Sequence, residues 1–177
     1  METTDKVTKF GNCAHNISQN IENVLYNYED NEAPLDFYAG YAACNLATLE
    51  NLVVADESDA NDVALTIVNL VEAGMAGAAH ILGLQDHISR LANQMTDLYA
   101  RKNRDYGNSF DRSMDKFGLV VAVIRIGDKV NRLQSLIEKG GAEVKDESIA
   151  DTFIDLACYS IMTLMWMEGK VHRTNTM

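Results

Sequence analysis

The sequence predicts an all-α fold, and three observations support that prediction. A single proline occurs among 177 residues, so few positions interrupt a helix. Six segments repeat apolar residues at helical spacing, and none alternates apolar and polar residues between turn signals as strands do. Eight methionines and a hydrophobic content of 47% fit long helices around a core. The expected architecture is a single domain, a bundle of about six helices.

The boundaries of the six helices follow from apolar spacing and from residues that begin or end helices. Pro34 suits a first helical turn, and Gly107 suits the left-handed residue after a helix. The caps Asp56-Glu57-Ser58-Asp59 precede the third helix. Asn108 to Asp115 is expected to be a polar connector. The predicted helices span residues 12–28, 34–54, 60–82, 86–106, 116–139 and 146–168.

Charge is distributed unevenly along the chain, whose formal net charge is −11. Residues 1–95 carry three basic and 14 acidic side chains, whereas residues 96–177 carry 12 of each. An acidic chain is a poor binder of duplex nucleic acid, because phosphate contacts need a surplus of cations. Local cations beside carboxylates suit a small phosphorylated ligand better. We therefore expect residues 96–177 to carry a site and residues 1–95 to pack against it.

Cysteine use and apolar runs bear on the compartment. The three cysteines (Cys13, Cys44 and Cys158) lie far apart without a C-x-x-C pair, so neither a disulfide framework nor a zinc knuckle is expected. The first residues do not read as a signal peptide, and no charge-free apolar run approaches membrane-spanning length. We expect a cytoplasmic protein without a membrane partner.

The two parts of the chain share a faint internal repeat. Residues 56–71 resemble 146–161, and residues 45–53 resemble 129–137. If the parts are copies, only the second keeps the ionisable residues, since Cys44, Asn45, Asn61 and Leu65 stand where Asp128, Lys129, Asp151 and Asp155 occur. Shared helix caps and helical periodicity are the alternative explanation of the resemblance.

Two otherwise apolar helices each carry a stripe of ionisable residues. Residues three or four positions apart lie on the same face of a helix. On the last helix this spacing joins three acids, Glu147, Asp151 and Asp155. On the fifth helix it joins Arg125, Asp128, Lys129 and Arg132. Asp155 lies among apolar neighbours, so a cation or a divalent metal must neutralise it. Facing each other, the stripes could hold Mg²⁺ between oxygens and phosphates on the cations.

Structural readings of the same residues stay open. An interhelical salt-bridge network would join Arg125 and Arg132 to Asp151 and Asp155. Glu147 is alternatively an acid of the first helical turn, where it would complement the helix dipole.

The end of the fourth helix adds Lys102, Asp105 and Tyr106, followed by Gly107. A cation for a phosphate, a ring that stacks on a base and a glycine that admits close approach are the parts of a nucleotide pocket. The alternative is an exposed basic helix end with the tyrosine packed beneath it.

The segments KNRDYGNSF, RIGDKVNRLQSL and VKDESIADTFIDLACYSIMTL resemble the phage-rich family called nucleotide modification-associated domain 1. The resemblance covers residues 96–168. More distantly, the layout is similar to the all-α NTP pyrophosphohydrolases of the MazG and dimeric dUTPase types. The resemblance implies a nucleotide site lined by Lys102, Asp105, Tyr106, Asp128, Lys129, Arg132, Glu147, Asp151 and Asp155.

Two functions compete. The first is Mg²⁺-dependent release of pyrophosphate from a nucleotide. Its catalytic carboxylates would be Asp128, Glu147, Asp151 and Asp155, the last three as metal ligands, while Lys102, Lys129 and Arg132 neutralise phosphate. The second is a phage protein that captures a nucleotide immune signal without turnover, chiefly through Arg125, Lys129 and Arg132.

The acidic residues discriminate between the two functions. The sequence lacks the E-x-x-E pair of the pyrophosphohydrolases, which favours capture of a nucleotide without turnover. It keeps three aligned carboxylates, which favours a metal-dependent hydrolase. A purely structural helical protein is a third possibility. Self-association is expected in each case, because the last helix is strongly apolar and the third is rich in small residues.

Overall fold

A computed structural model describes residues 3–26, 35–55, 59–140 and 148–174. These residues form seven α-helices and one short 3₁₀ turn at Gln85–His87, and no strand occurs among them, so the all-α prediction is confirmed. The predicted helix starts at Pro34, Asp56-Glu57-Ser58 and Asp146-Glu147 fall outside the described residues. The helices are α1 (Thr3–Tyr26), α2 (Leu35–Val54), α3 (Ala60–Leu82), α4 (Ile88–Tyr106), α5 (Ser109–Phe117), α6 (Val120–Glu138) and α7 (Ile149–Thr174).

The polar connector predicted for Asn108 to Asp115 is wrong, because this segment begins α5. Phe110 and Met114 lie four residues apart and are both buried, so the segment has one apolar face despite its polar composition. Gly118, with φ of 68°, then separates α5 from α6. A left-handed residue ends a helix, which is why the single predicted helix 116–139 is divided here.

The first helix begins at Thr3, well before the predicted Asn12. Phe10 accounts for the extension, since its ring is fully buried and stacks on Tyr99 of α4 with centroids 4.3 Å apart. Lys6, one turn earlier, is also buried and pairs with Asp111 of α5. These contacts fix α1 beside the end of α4 and the beginning of α5.

The centre of the core is the contact between α3 and α7. Gly74 and Gly77 of α3 let the two backbones approach, because a Cβ at Gly74 would lie 2.7 Å from the Phe153 carbonyl oxygen. The small residues of α3 and an apolar face of α7 thus pack on each other within one chain. They no longer argue for self-association, and the oligomeric state stays a prediction.

By length and composition alone, α3 and α7 could each cross a membrane. Neither is free of charge, since α3 contains Asp62 and Glu72 and α7 contains Asp151 and Asp155. Of their most apolar windows, 61% and 44% are buried inside the fold. Burial in this core accounts for the apolar composition of α3, most of whose window is buried.

Corresponding helices of the two parts pack on one another. The sequence repeat pairs α2 with α6 and α3 with α7, and each pair is in contact, as are α1 and α4. These contacts are compatible with the repeat, which stays a prediction. The helix α5 packs against α6 and α7, next to the candidate site.

Candidate functional site

A capping box sets the start of α7 and fixes Asp151. The Ser148 hydroxyl accepts the Asp151 N–H at 3.1 Å, and the Asp151 carboxylate accepts the Ser148 N–H at 3.1 Å and its hydroxyl at 2.7 Å. This reciprocal pattern satisfies backbone donors that have no partner within the helix. Asp151 therefore caps the first turn of α7. From the sequence alone, this role was the alternative to metal binding for Glu147.

Asp155 lies one turn further along α7 and pairs with two lysines from two other helices. Its Oδ1 accepts a hydrogen bond from Lys102 Nζ of α4 at 3.0 Å, and its Oδ2 lies 3.0 Å from Lys129 Nζ of α6. The exposed side-chain fractions are 27% for Asp155, 24% for Lys129 and 50% for Lys102. The cations predicted to neutralise Asp155 are thus present, although they are lysines where the salt-bridge reading invoked arginines.

Burial and pairing act in opposite directions on the ionisation of this cluster. Burial by itself raises the pKa of Asp155, but hydrogen bonds and charges from Lys129 and Lys102 outweigh it and leave the pKa below its ordinary value. For Lys102, burial lowers the pKa, whereas the hydrogen bond and charge of Asp155 raise it above its ordinary value overall. Asp155 and Lys102 are therefore both charged at neutral pH.

Aromatic rings extend the cluster along α7. Lys129 Nζ lies 5.8 Å from the ring centroid of Tyr159, within range of a cation–π interaction. The Tyr159 ring in turn contacts Phe110 of α5 at a centroid distance of 5.7 Å. Charged and aromatic side chains thus adjoin along one face of α7.

Two cavities adjoin at the Lys102–Asp155 pair. The lysine cavity, about 310 Å³, is bordered by Lys102, Lys129, Arg132, Asp151 and Asp155. The tyrosine cavity, about 350 Å³, is bordered by the aromatic residues Tyr99, Tyr106, Phe110 and Tyr159, and also by Lys102, Arg125 and Asp155. Both volumes lie within the range of small-molecule sites, roughly 300–1,000 Å³. Cations thus border the lysine cavity, and aromatic residues border the adjoining tyrosine cavity.

The structure brings most of the sequence-predicted residues together, but not all of them. Arg132 and Asp151 border the lysine cavity, while Arg125 and Tyr106 border the tyrosine cavity, with 68% of Tyr106 exposed. Asp105 and Asp128 are exposed and border neither cavity. Glu147 lies outside the described residues.

The carboxylates were also predicted to hold Mg²⁺, and their present partners bear on that prediction. Both oxygens of Asp155 face lysines, and the Asp151 carboxylate bonds Ser148. No group of three potential metal ligands occurs within residues 3–26, 35–55, 59–140 and 148–174. This donor set does not fit a divalent cation, which needs several oxygens directed at one point. Because Glu147 is not described, the three-residue metal site stays a prediction.

Several cavity residues were missed by sequence reasoning. Tyr159 stands four positions after Asp155, so the spacing that linked the acids along α7 could have found it. Phe110 and Asn108 could not be found in this way, because their segment was predicted to be a connector. Cys158 also borders the tyrosine cavity, where burial raises the pKa of its thiol to about 12, so it carries no nucleophilic thiolate.

The residues of α2 and α3 that the sequence repeat matches to the site form a different cluster. Asn45 stands where Lys129 does, and its Nδ2 donates to the Tyr41 carbonyl oxygen at 2.9 Å. Asn69 Nδ2 donates to Asn45 Oδ1 at 3.0 Å. Leu65, which stands where Asp155 does, is 61% exposed. A neutral amide pair thus lies in this part of α2 and α3, as expected if residues 96–177 carry the site.

Comparisons with known proteins agree with the sequence resemblance in this part of the chain. No curated protein and no solved structure matches the chain significantly. One family model does match, over residues 102–167. That segment begins at Lys102 and contains Lys129, Asp155 and Tyr159, whereas Tyr99 of the tyrosine cavity precedes it. Residues 102–167 therefore match the family described as nucleotide modification associated domain 1.

Proposed function

We propose that this protein binds a phosphorylated nucleotide, with the phosphates in the lysine cavity and the base in the tyrosine cavity. One observation carries the proposal: a cationic cavity and an aromatic cavity adjoin at Lys102 and Asp155. A nucleotide has the same two parts, an anionic tail and a flat ring joined by a sugar. Cations recognise the first by charge-assisted hydrogen bonds, and aromatic rings stack on the second.

The local charge of the lysine cavity supports anion binding by an acidic protein. Lys102, Lys129 and Arg132 border this cavity against two carboxylates. Asp155 pairs with Lys102 and Lys129, whereas Asp151 bonds Ser148, so the three cations outnumber the two carboxylates. A local surplus of cations in a chain of net charge −11 is the pattern of a specific anion site.

The contacts of Asp151 and Asp155 favour binding of the nucleotide without its hydrolysis. Hydrolysis assisted by Mg²⁺ would require Asp155 and Asp151 to release their present partners and turn toward a metal. Asp155 now pairs with two lysines, and the Asp151 carboxylate accepts two hydrogen bonds from Ser148. The alternative, pyrophosphate release by a hydrolase, rests on the predicted set of Glu147, Asp151 and Asp155.

A binding and turnover assay decides between these forms. The intact protein is titrated with each nucleoside triphosphate and with cyclic dinucleotides, with and without Mg²⁺, and the recovered ligand is identified by mass. Capture predicts saturable binding and unchanged ligand under both conditions. Pyrophosphate released only with Mg²⁺ would instead establish hydrolysis, and absence of binding to every probe would contradict the proposal.

Replacing Lys129 tests the charged wall of the site. Lys129→Gln is expected to lower the affinity for the best-bound nucleotide by about tenfold, since a charge-assisted hydrogen bond to phosphate is lost. The measurement is isothermal titration calorimetry. Lys139→Gln, an exposed lysine at the end of α6, removes the same charge outside the cavities and is the matched control. Equal affinities for both variants would show that Lys129 does not contact the ligand.

A further inference from the structure

Asn108 has an unpaired acceptor beside the proposed nucleotide site. Its Oδ1 is buried and has no hydrogen-bond partner, one of two such side-chain atoms among the described residues. A buried acceptor without a partner is costly, and proteins retain few of them. Such an atom indicates a partner that the protein alone does not supply.

The backbone of Asn108 explains why its side chain is unpaired. Asn108 precedes α5, where asparagine ordinarily accepts an N–H of the first helical turn. Here its φ is 51°, in the left-handed region, and its side chain makes no capping hydrogen bond. Gly107 before it is also left-handed, with φ of 52°. The chain thus holds Asn108 in an uncommon conformation that sacrifices the cap.

Asn108 stands between the tyrosine cavity and a third cavity. This tryptophan cavity, about 560 Å³, is bordered by Trp166, Lys9 and Arg112 and shares Tyr99, Asn108 and Asp111 with the tyrosine cavity. A ligand in the tyrosine cavity therefore comes within reach of the Asn108 amide. No hydrogen bond holds Oδ1, so rotation about the Cβ–Cγ bond can present it to a ligand.

From this placement we infer that Asn108 determines base specificity by accepting a hydrogen bond from a base N–H. The inference rests on the proposed nucleotide site and names the chemistry of the ligand within it. Four aromatic rings border the tyrosine cavity, so a planar base is the part of the nucleotide that belongs there. The four bases carry their N–H groups at different positions of the ring edge, so an acceptor at one place favours the base whose N–H group lies opposite it.

Asn108→Gly removes the amide without straining the backbone, because glycine adopts a φ of 51° freely. Its melting temperature is therefore expected to equal or exceed that of the wild type. The probes are the four deoxynucleoside triphosphates and tripolyphosphate, which has no base. We expect the variant to bind the best-bound nucleotide about tenfold more weakly than the wild type does. Its affinity for tripolyphosphate should change by less than about twofold. Asn93→Ala, an exposed amide on α4, is the control.

Analogues identify the donor on the nucleotide. Full methylation of the base N–H groups is expected to weaken binding to the wild type by about tenfold. The affinity of Asn108→Gly should be the same for the methylated and the unmethylated nucleotide. If the 2′,3′-dideoxy analogue reproduces this pattern instead, the donor is a sugar hydroxyl and the base assignment is wrong. Unchanged nucleotide affinity in Asn108→Gly would overturn the inference alone. A wild type that binds neither nucleotide nor tripolyphosphate would overturn the proposed function as well.

Discussion

Gly74→Ala is expected to lower the free energy of unfolding by about 2–3 kcal/mol, because overpacking a rigid helix contact has costs of this size. A Cβ at Gly74 would lie 2.7 Å from the Phe153 carbonyl oxygen and 2.8 Å from the Ala157 amide nitrogen. Both are backbone atoms of α7, so neither can turn aside as the end of a flexible side chain could. The helices must separate to admit the methyl group. Urea unfolding followed by circular dichroism measures the change.

Gly40→Ala is the matched control for this substitution. Gly40 lies inside α2 and is exposed, and a Cβ there would meet nothing within 4 Å. Alanine should therefore stabilise the protein by about 0.5–1 kcal/mol through helix propensity. A Gly74→Ala variant as stable as Gly40→Ala would contradict the close contact of α3 and α7. Because α7 carries Asp155, that result would also remove the basis for the site geometry.

Asp155→Asn is expected to have opposite effects on stability and on anion binding. Because two lysines lose their shared carboxylate, the free energy of unfolding should fall by about 1–2 kcal/mol. This value lies between those of exposed and of buried ion pairs. The same loss leaves Lys102 and Lys129 without a competing anion, so affinity for tripolyphosphate should rise severalfold. A metal ligand would behave differently, since its removal would abolish a Mg²⁺-dependent activity without strengthening the binding of phosphate.

The pH dependence gives this variant a second test. The pKa of Asp155 is lowered in the folded protein, so its pairing stabilises the fold fully above the unfolded value of 3.8. That contribution is lost as the pH falls through the lowered folded-state pKa. The stability difference between wild type and Asp155→Asn should therefore be constant near neutrality and shrink below about pH 4. Asp97→Asn, which removes an exposed carboxylate of α4, is the control. A difference that grows on acidification would contradict the pairing.

The helices and the charged cluster could be predicted from the sequence because both depend on local spacing. Apolar periodicity defined the helical segments, and the position of Asp155 on an apolar helix required neutralising cations. Which cations these are could not be predicted, because lysines and arginines share the same stripe of α6. The choice depends on the separation of α6 and α7, which tertiary packing sets.

The aromatic half of the site depends on α5, and the sequence did not predict that helix. Its nine residues are mostly polar, and only Phe110 and Met114 form its buried face. Two apolar residues are too few to establish a period, so the helix forms because α6 and α7 bury them. Asn108 was missed for the same reason, since its significance comes from a buried atom and two cavities.

A structure of the protein with its best-bound nucleotide would show whether the lysine and tyrosine cavities together hold the ligand. We expect phosphate oxygens within hydrogen-bonding distance of Lys129 and Arg132, and a base against the rings of Tyr159 and Phe110. A nucleotide bound at another surface, with the lysine and tyrosine cavities unchanged from the free protein, would contradict it.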